Sequence, residues 1–226
     1  MATFLEIVQD LHFEAGAAGL PPTSVVNQVG EADRLVRWVR KAEFFWQSRW
    51  ANWKFMHRTL PAGFRTLRSI DTAPPDDLAA WDFRTFFIRV DEDSGWLPLQ
   101  AQEYDVVKEL PPETVDGLPL RVVVLPNDYL RFSPLPDREY DLRADYYRKP
   151  VRLEENSQVS MIPDAYVPTV VLGTALGYVA DYEDAPELKR RSVELVEDHA
   201  TQLQAAYLPQ QAAEWQTGAD LVVTPE

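Results

Sequence analysis

From Tyr140 to Glu187 the chain reads YDLRADYYRKPVRLEENSQVSMIPDAYVPTVVLGTALGYVADYEDAPE, and its period changes along the way. Tyr140, Leu142, Ala144 and Tyr146 alternate with Asp141, Arg143, Asp145 and Tyr147, which predicts a strand with one buried and one wetted face. A polar loop follows. Val, Leu and Ala then dominate the segment from Asp164 to Asp181, which predicts a well-buried helix with Asp164 as its cap. Pro168 falls in its first turn, where a missing N–H costs little. Asp184, Pro186 and Glu187 open a further helix in a box-like arrangement. Leu188, Val193, Val196, Ala200, Leu203 and Tyr207 continue it until Pro209. Gly173 and Gly177 sit four apart on one face of the first of these helices, where they let a second backbone come close.

The N-terminal part is also helical. Thr3 and Glu6 fit a capping box, and Phe4, Val8, Leu11 and Ala15 lie on one face of a helix running to about Ala17. Gly16, Gly19, Pro21 and Pro22 end it. From Glu31 to about Trp50, Leu35, Val39, Ala42, Trp46 and Trp50 recur at intervals of three and four, with Arg34, Arg37, Arg40 and Lys41 on the opposite face. Trp38, Trp46, Trp50 and Trp53 crowd this region. Trp is enriched in interface cores, so part of their surface is expected to lie between subunits.

The middle reads as β. Thr85–Val90 and Gly95–Gln100 are strand candidates. Leu120–Leu125, the turn residues Pro126, Asn127 and Asp128, and Tyr129–Phe132 form a strand–turn–strand signature. A second turn over Pro134–Arg138 leads into Tyr140–Tyr147, so an antiparallel meander of three strands is expected. A short helix is expected over Glu103–Leu110. The fold class is therefore α+β: a bundle of N- and C-terminal helices with an inserted, mainly antiparallel β region. The expected parts are an N-terminal helical part (1–63), a β-rich region (64–150), C-terminal helices completing the bundle (151–208) and an extended tail (209–226).

Charge is segregated along this order. Between Glu31 and Arg68 there are nine basic and three acidic residues; between Asp71 and Asp145 there are seventeen acidic and seven basic. This is either a solvated helix face or a basic face on one copy that meets an acidic surface on a neighbour or partner, where opposed charge sets orientation. The whole chain carries a net charge of −14, which disfavours general DNA binding and anionic membranes. No run of 18 apolar residues predicts a transmembrane helix, and MATFLEIVQD lacks the basic start of a signal peptide. With no Cys, disulfide and thiolate chemistry are excluded.

The chemistry is sparse. His12, His57 and His199 fall on different elements without metal-ligand spacing. There is no phosphate-binding glycine loop and no GxSxG elbow. Acid clusters occur at Asp76-Asp77, Asp91-Glu92-Asp93 and Glu154-Glu155. A carboxylate pair drawn from Asp91, Asp93 and Glu155 could hydrolyse glycans if suitably spaced, and Asp91–Gly95 could hold Ca²⁺, although it lacks the EF-hand pattern. Tyr146, Tyr147, Arg148 and Lys149 form an aromatic–basic cluster that reads either as base stacking or as core and rim packing. No cofactor is expected.

In order along the chain come FLEIVQDL, Pro-Thr-Ser-Val-Val, the helix GEADRLVRWVRKAEFFWQSRWANWKF, LPNDYLRFSPLPDREYDLRADYYRKP, IPDAYVP and a helical pair separated by YEDAPE. This succession resembles the head-to-tail adaptor (connector) proteins of tailed bacteriophages over nearly its whole length. The resemblance implies a non-enzymatic virion protein of the neck, made in the host cytoplasm. It implies a homo-oligomeric ring, usually twelvefold, docked beneath the portal protein and joined to a downstream tail or nozzle protein, with DNA passing through the lumen without specific binding. A stopper or tail terminator is the neighbouring alternative, and a carboxylate-based hydrolase the remaining one. Within the adaptor reading, Arg34, Arg37, Arg40 and Lys41 are expected at the subunit interface. Trp215, Leu221, Val222 and Val223 of the tail are expected to bind the portal.

Overall fold

The computed structural model describes residues 2–68, 71–91, 93–108 and 115–209. Its α-helices are α1 (Phe4–Glu14), α2 (Gly30–Ser48), α3 (Tyr104–Val107), α4 (Leu172–Glu183) and α5 (Pro186–Tyr207). Helices at both ends and mostly antiparallel strands between them make the expected α+β fold. The chain divides into two compact units. One comprises residues 1–55 and 150–226 and the other Met56–Lys149.

In the helical unit, the Thr3 capping box forms, with the Glu6 amide donating to Thr3 Oγ1 and Glu6 accepting from the Thr3 amide at 2.8 Å. Phe4, Ile7, Val8 and Leu11 are buried on one face of α1. The N-terminal segment is tied to the returning chain by amide bonds from Phe4 to the Gln158 carbonyl (2.7 Å) and from Val25 to Asn156 Oδ1 (2.7 Å). On α2, Leu35, Val39, Ala42 and Trp46 are buried as the spacing predicts and Val36 joins them, whereas Trp50, the fifth of the expected stripe, lies beyond the helix end at Ser48 and is only half-buried. Each of the buried Leu and Val side chains contributes roughly 1.5–3 kcal/mol by leaving water. Trp46 donates through its indole to Thr174 Oγ1 at 2.8 Å, and Trp53 donates to the Trp46 carbonyl at 2.9 Å, so two of the clustered tryptophans belong to this unit's own interior.

The close approach expected at the glycines is present. A Cβ on Gly173 would lie 2.8 Å from Val196 Cγ2, and one on Gly177 would lie 2.7 Å from Ser192 Oγ. Two capping expectations are corrected. Asp164 does not cap the buried helix: its carboxylate accepts from the Ala2 amide at 2.9 Å. The chain enters α4 through a 3-10 turn at Asp164–Tyr166 and a π turn at Val167–Val171 that contains Pro168. Asp184 does not cap α5. It ends α4 in the left-handed conformation (φ 53°), which Asp tolerates, and Ala185 precedes α5 without a side-chain cap.

The β unit contains β1 (His57–Thr59), β2 (Leu78–Trp81), β3 (Phe87–Arg89), β4 (Leu97–Pro98), β5 (Gln100–Glu103), β6 (Asp116–Gly117), β7 (Arg121–Val124), β8 (Leu130–Ser133), β9 (Leu135–Pro136), β10 (Asp141–Arg143) and β11 (Asp145–Arg148). The β7–β8 hairpin forms as expected, with Asp128 at φ 65° in its turn. The meander does not. β7 also pairs in parallel with β5, while the Tyr140–Tyr147 run splits into β10, paired with β3, and β11, held between β1 and β2. The cause is that 57–66 runs beside this stretch and takes its free edge. The Leu60 amide bonds to the Ala144 carbonyl and the Leu142 amide to the Phe64 carbonyl, each at 2.9 Å. Its alternation survives the split, since Tyr140, Leu142, Ala144 and Tyr146 are all buried with Trp81, Phe86, Ile88, Val122 and Phe132.

Candidate functional site

The helix α2 presents three differently used faces. Its apolar face is described above. A second face reads Arg40, Glu43, Gln47, spaced by three and four, and grips the backbone of the returning segment. Arg40 Nε donates to the Leu153 carbonyl at 2.6 Å. Gln47 Oε1 accepts from the Val151 amide at 2.8 Å, and its Nε2 donates to the Val151 carbonyl at 3.2 Å. Glu43 Oε1 accepts from Ser160 Oγ (2.8 Å), the Met161 amide (3.2 Å) and Gln47 Nε2 (3.1 Å). Burial outweighs these bonds and pushes the Glu43 carboxyl above the usual carboxylate range. Sequence reasoning missed Glu43 and Gln47. The three–four spacing was the available signal, but it looks the same as that of a solvated stripe.

The third face is an open groove of about 620 Å³. Arg37, Arg40, Lys41, Arg49 and Arg152 line it, backed by Phe44, Phe45 and Tyr178, with no carboxylate among the lining residues. Arg152 lies over the Phe44 ring (4.9 Å), Lys41 over Tyr178 (4.1 Å) and Arg49 over Phe45 (5.7 Å), which holds the cations by ring contacts rather than by ion pairs.

Of the four cations singled out in the sequence, Arg37, Arg40 and Lys41 meet in this groove. Arg34 does not: it donates to the Tyr182 hydroxyl and stacks on that ring at 4.6 Å. Arg37 pairs with Asp33 one turn away. The residues Trp215, Leu221, Val222 and Val223, and with them Glu92, lie outside the described residues.

Asp91 and Asp93 belong to the β unit and Glu155 to the helical unit. The Ser94 hydroxyl holds the Asp91 carboxyl below its usual range, the opposite of what a general acid needs. Among the described residues no group of three or more His, Asp or Glu could hold a metal ion. The three His lie apart: His12 and His199 contact the Gly19 and Leu195 carbonyls at hydrogen-bond distance, and His57 Nε2 lies 3.8 Å from Asp145. Tyr146 and Tyr147 are buried in the β unit, and Tyr146 donates to Asp77 at 2.9 Å, so that cluster is core and rim packing. No described helix is long and apolar enough to cross a membrane.

An open groove of cations backed by aromatic rings is a surface suited to binding. The model of the SU10 adaptor protein family matches residues 2–223. The chain belongs to that family. No curated protein matches it. Membership covers both units at once, in keeping with the resemblance to phage head-to-tail adaptors read from the order of segments.

Proposed function

We propose that this adaptor is a structural assembly protein of the phage neck, without catalytic activity. It forms a closed ring, twelvefold, that docks beneath the portal protein and hands on to a tail or nozzle protein while DNA passes through. The family match over residues 2–223 carries this reading. Physical arguments support it. A ring needs a surface on each copy that fits a different surface on the next, and α2 carries a charged, ring-backed groove. A net charge of −14 keeps DNA from binding tightly, as sliding requires. The segment after Pro209, with Trp215 and Leu221–Val223, offers an anchor and a short β-prone run for the portal. The protein is made in the host cytoplasm and resides in the virion neck. Phage assembly without it tests the reading: the expected products are filled heads that lack tails. Tailed particles that retain DNA would overturn it.

A further inference from the structure

We infer that the groove over α2 receives the acidic outer face of α5 from a second copy of the chain. The inference rests on the ring reading above and names the two surfaces that meet. Five cations line the groove, and among the described residues only Arg37 has an ion-pair partner, Asp33. The remaining four face aromatic rings and backbone, so their charge stays available to a partner. Phe45 leaves 43% of its surface exposed there and supplies an apolar contact.

The complementary surface is on α5. That helix has 22 residues, yet only Ser192 and Leu203 are buried. A helix so little covered in one copy has surface left for another. Val193, Glu194, Glu197 and Asp198 fall on one exposed stripe at spacings of one, three and four, and Val193 is 40% exposed. On α5 itself the three cations (Lys189, Arg190, Arg191) sit in the first two turns with Glu187, and the other three carboxylates (Glu194, Glu197, Asp198) gather beside Val193. Glu194 pairs with Arg190 at 3.3 Å, which leaves Glu197 and Asp198 beside Val193 to match a groove of cations around exposed Phe45. Each copy carries both surfaces and they differ, so the contact is head-to-tail, the type that closes into rings. A single-stranded nucleic acid could also stack in such a groove. The net charge of −14 and the uncovered α5 favour the second copy.

The chain has no Cys, so paired cysteines report the contact without background. Ser48→Cys lies on the exposed rim of the groove and Glu197→Cys on the α5 stripe. Full-length protein carrying both is mixed with its cognate portal, ring formation is scored by mass, and a short bismaleimide is added. The pairing predicts a ladder of cross-linked species rising to the ring size, with no ladder from either single variant. Rings that form without a ladder overturn the pairing and leave the adaptor reading standing. No assembly on the portal overturns both. As a second readout, Arg49→Glu should weaken ring assembly tenfold or more, and Asp198→Lys in the same chain should restore it. Assembly unmoved by Arg49→Glu contradicts the pairing. If a single-stranded oligonucleotide protects the thiol of the Ser48→Cys variant from maleimide, and no ladder forms, the pairing is overturned and the groove belongs to nucleic acid.

Discussion

The contact between α4 and α5 is tight enough that single methyl groups should report on it. A methyl group on Gly173 would sit 2.8 Å from Val196 Cγ2 and 3.2 Å from Leu195 Cβ, against an ordinary carbon–carbon contact of about 3.5–4.0 Å. Leu195 Cβ is fixed to the α5 backbone, so relief requires the helices to separate. Overpacking of this kind costs about 1–3 kcal/mol, and the better helix propensity of Ala returns about 1 kcal/mol, so Gly173→Ala should cost about 1 kcal/mol net. Gly177 differs, because its Cβ would meet the Ser192 hydroxyl at 2.7 Å but Ser192 Cβ only at 3.7 Å, an ordinary contact. Ser192 Oγ donates to the Gly173 carbonyl at 2.8 Å, and turning it away loses about 1 kcal/mol. Gly177→Ala should therefore be near neutral in the native chain. In a Ser192→Ala background the obstacle is gone and the same change should stabilise by about 1 kcal/mol, whereas Gly173→Ala should remain destabilising. Urea unfolding followed by circular dichroism measures all six proteins. Equal effects of Gly177→Ala with and without Ser192, or stabilisation by Gly173→Ala, would refute the packing argument.

Four further outcomes follow from named contacts. Glu43→Ala leaves Ser160, Met161 and Gln47 donors without their acceptor and should cost about 3–5 kcal/mol in urea unfolding; a cost below about 1 kcal/mol would contradict the grip. Because Glu43 is raised above its unfolded value of 4.5, the stability tied to its protonated form is present below that pH and lost as pH climbs through the folded value. Glu43→Gln should thus gain stability relative to the native chain as pH rises from 4.5, and parallel pH profiles would argue against this. Asp141 behaves oppositely. Arg89 and Arg65 hold its carboxyl below 3.8, so its contribution is present above that pH and disappears as pH falls through the folded value; Asp141→Asn should flatten the acid side of the unfolding profile. Trp81 donates its indole N–H to the Asp128 carbonyl in the β7–β8 turn at 2.9 Å, so Trp81→Phe should cost about 2 kcal/mol, read as a lowered urea midpoint.

Periodic features were the legible ones. The α1 capping box, the apolar stripe of α2, the β7–β8 hairpin and the paired glycines of α4 depend on residues close in sequence, and each stands where its spacing puts it. Features decided by distant chain were not legible. Asp164 was free to cap its own helix until the N-terminal amide of Ala2 claimed it. The free edge of β10 and β11 was taken by residues far earlier in the chain, which ruled out a meander. Asp184 could serve the helix before it or the one after it, and the two-residue connection settled this in favour of the left-handed cap. At the candidate site, three of the four cations read from α2 do meet in one groove. Arg49 and Arg152 complete it, and Arg152 arrives from more than a hundred residues away.

The central claim is that this chain is the adaptor that docks on the portal. Mass photometry of the full chain mixed with its cognate portal tests it most directly, with a second sample truncated after Pro209. The account predicts a mass step equal to one adaptor per portal subunit for the full chain, lost on truncation. No step in either sample would contradict portal docking and place the protein further down the tail.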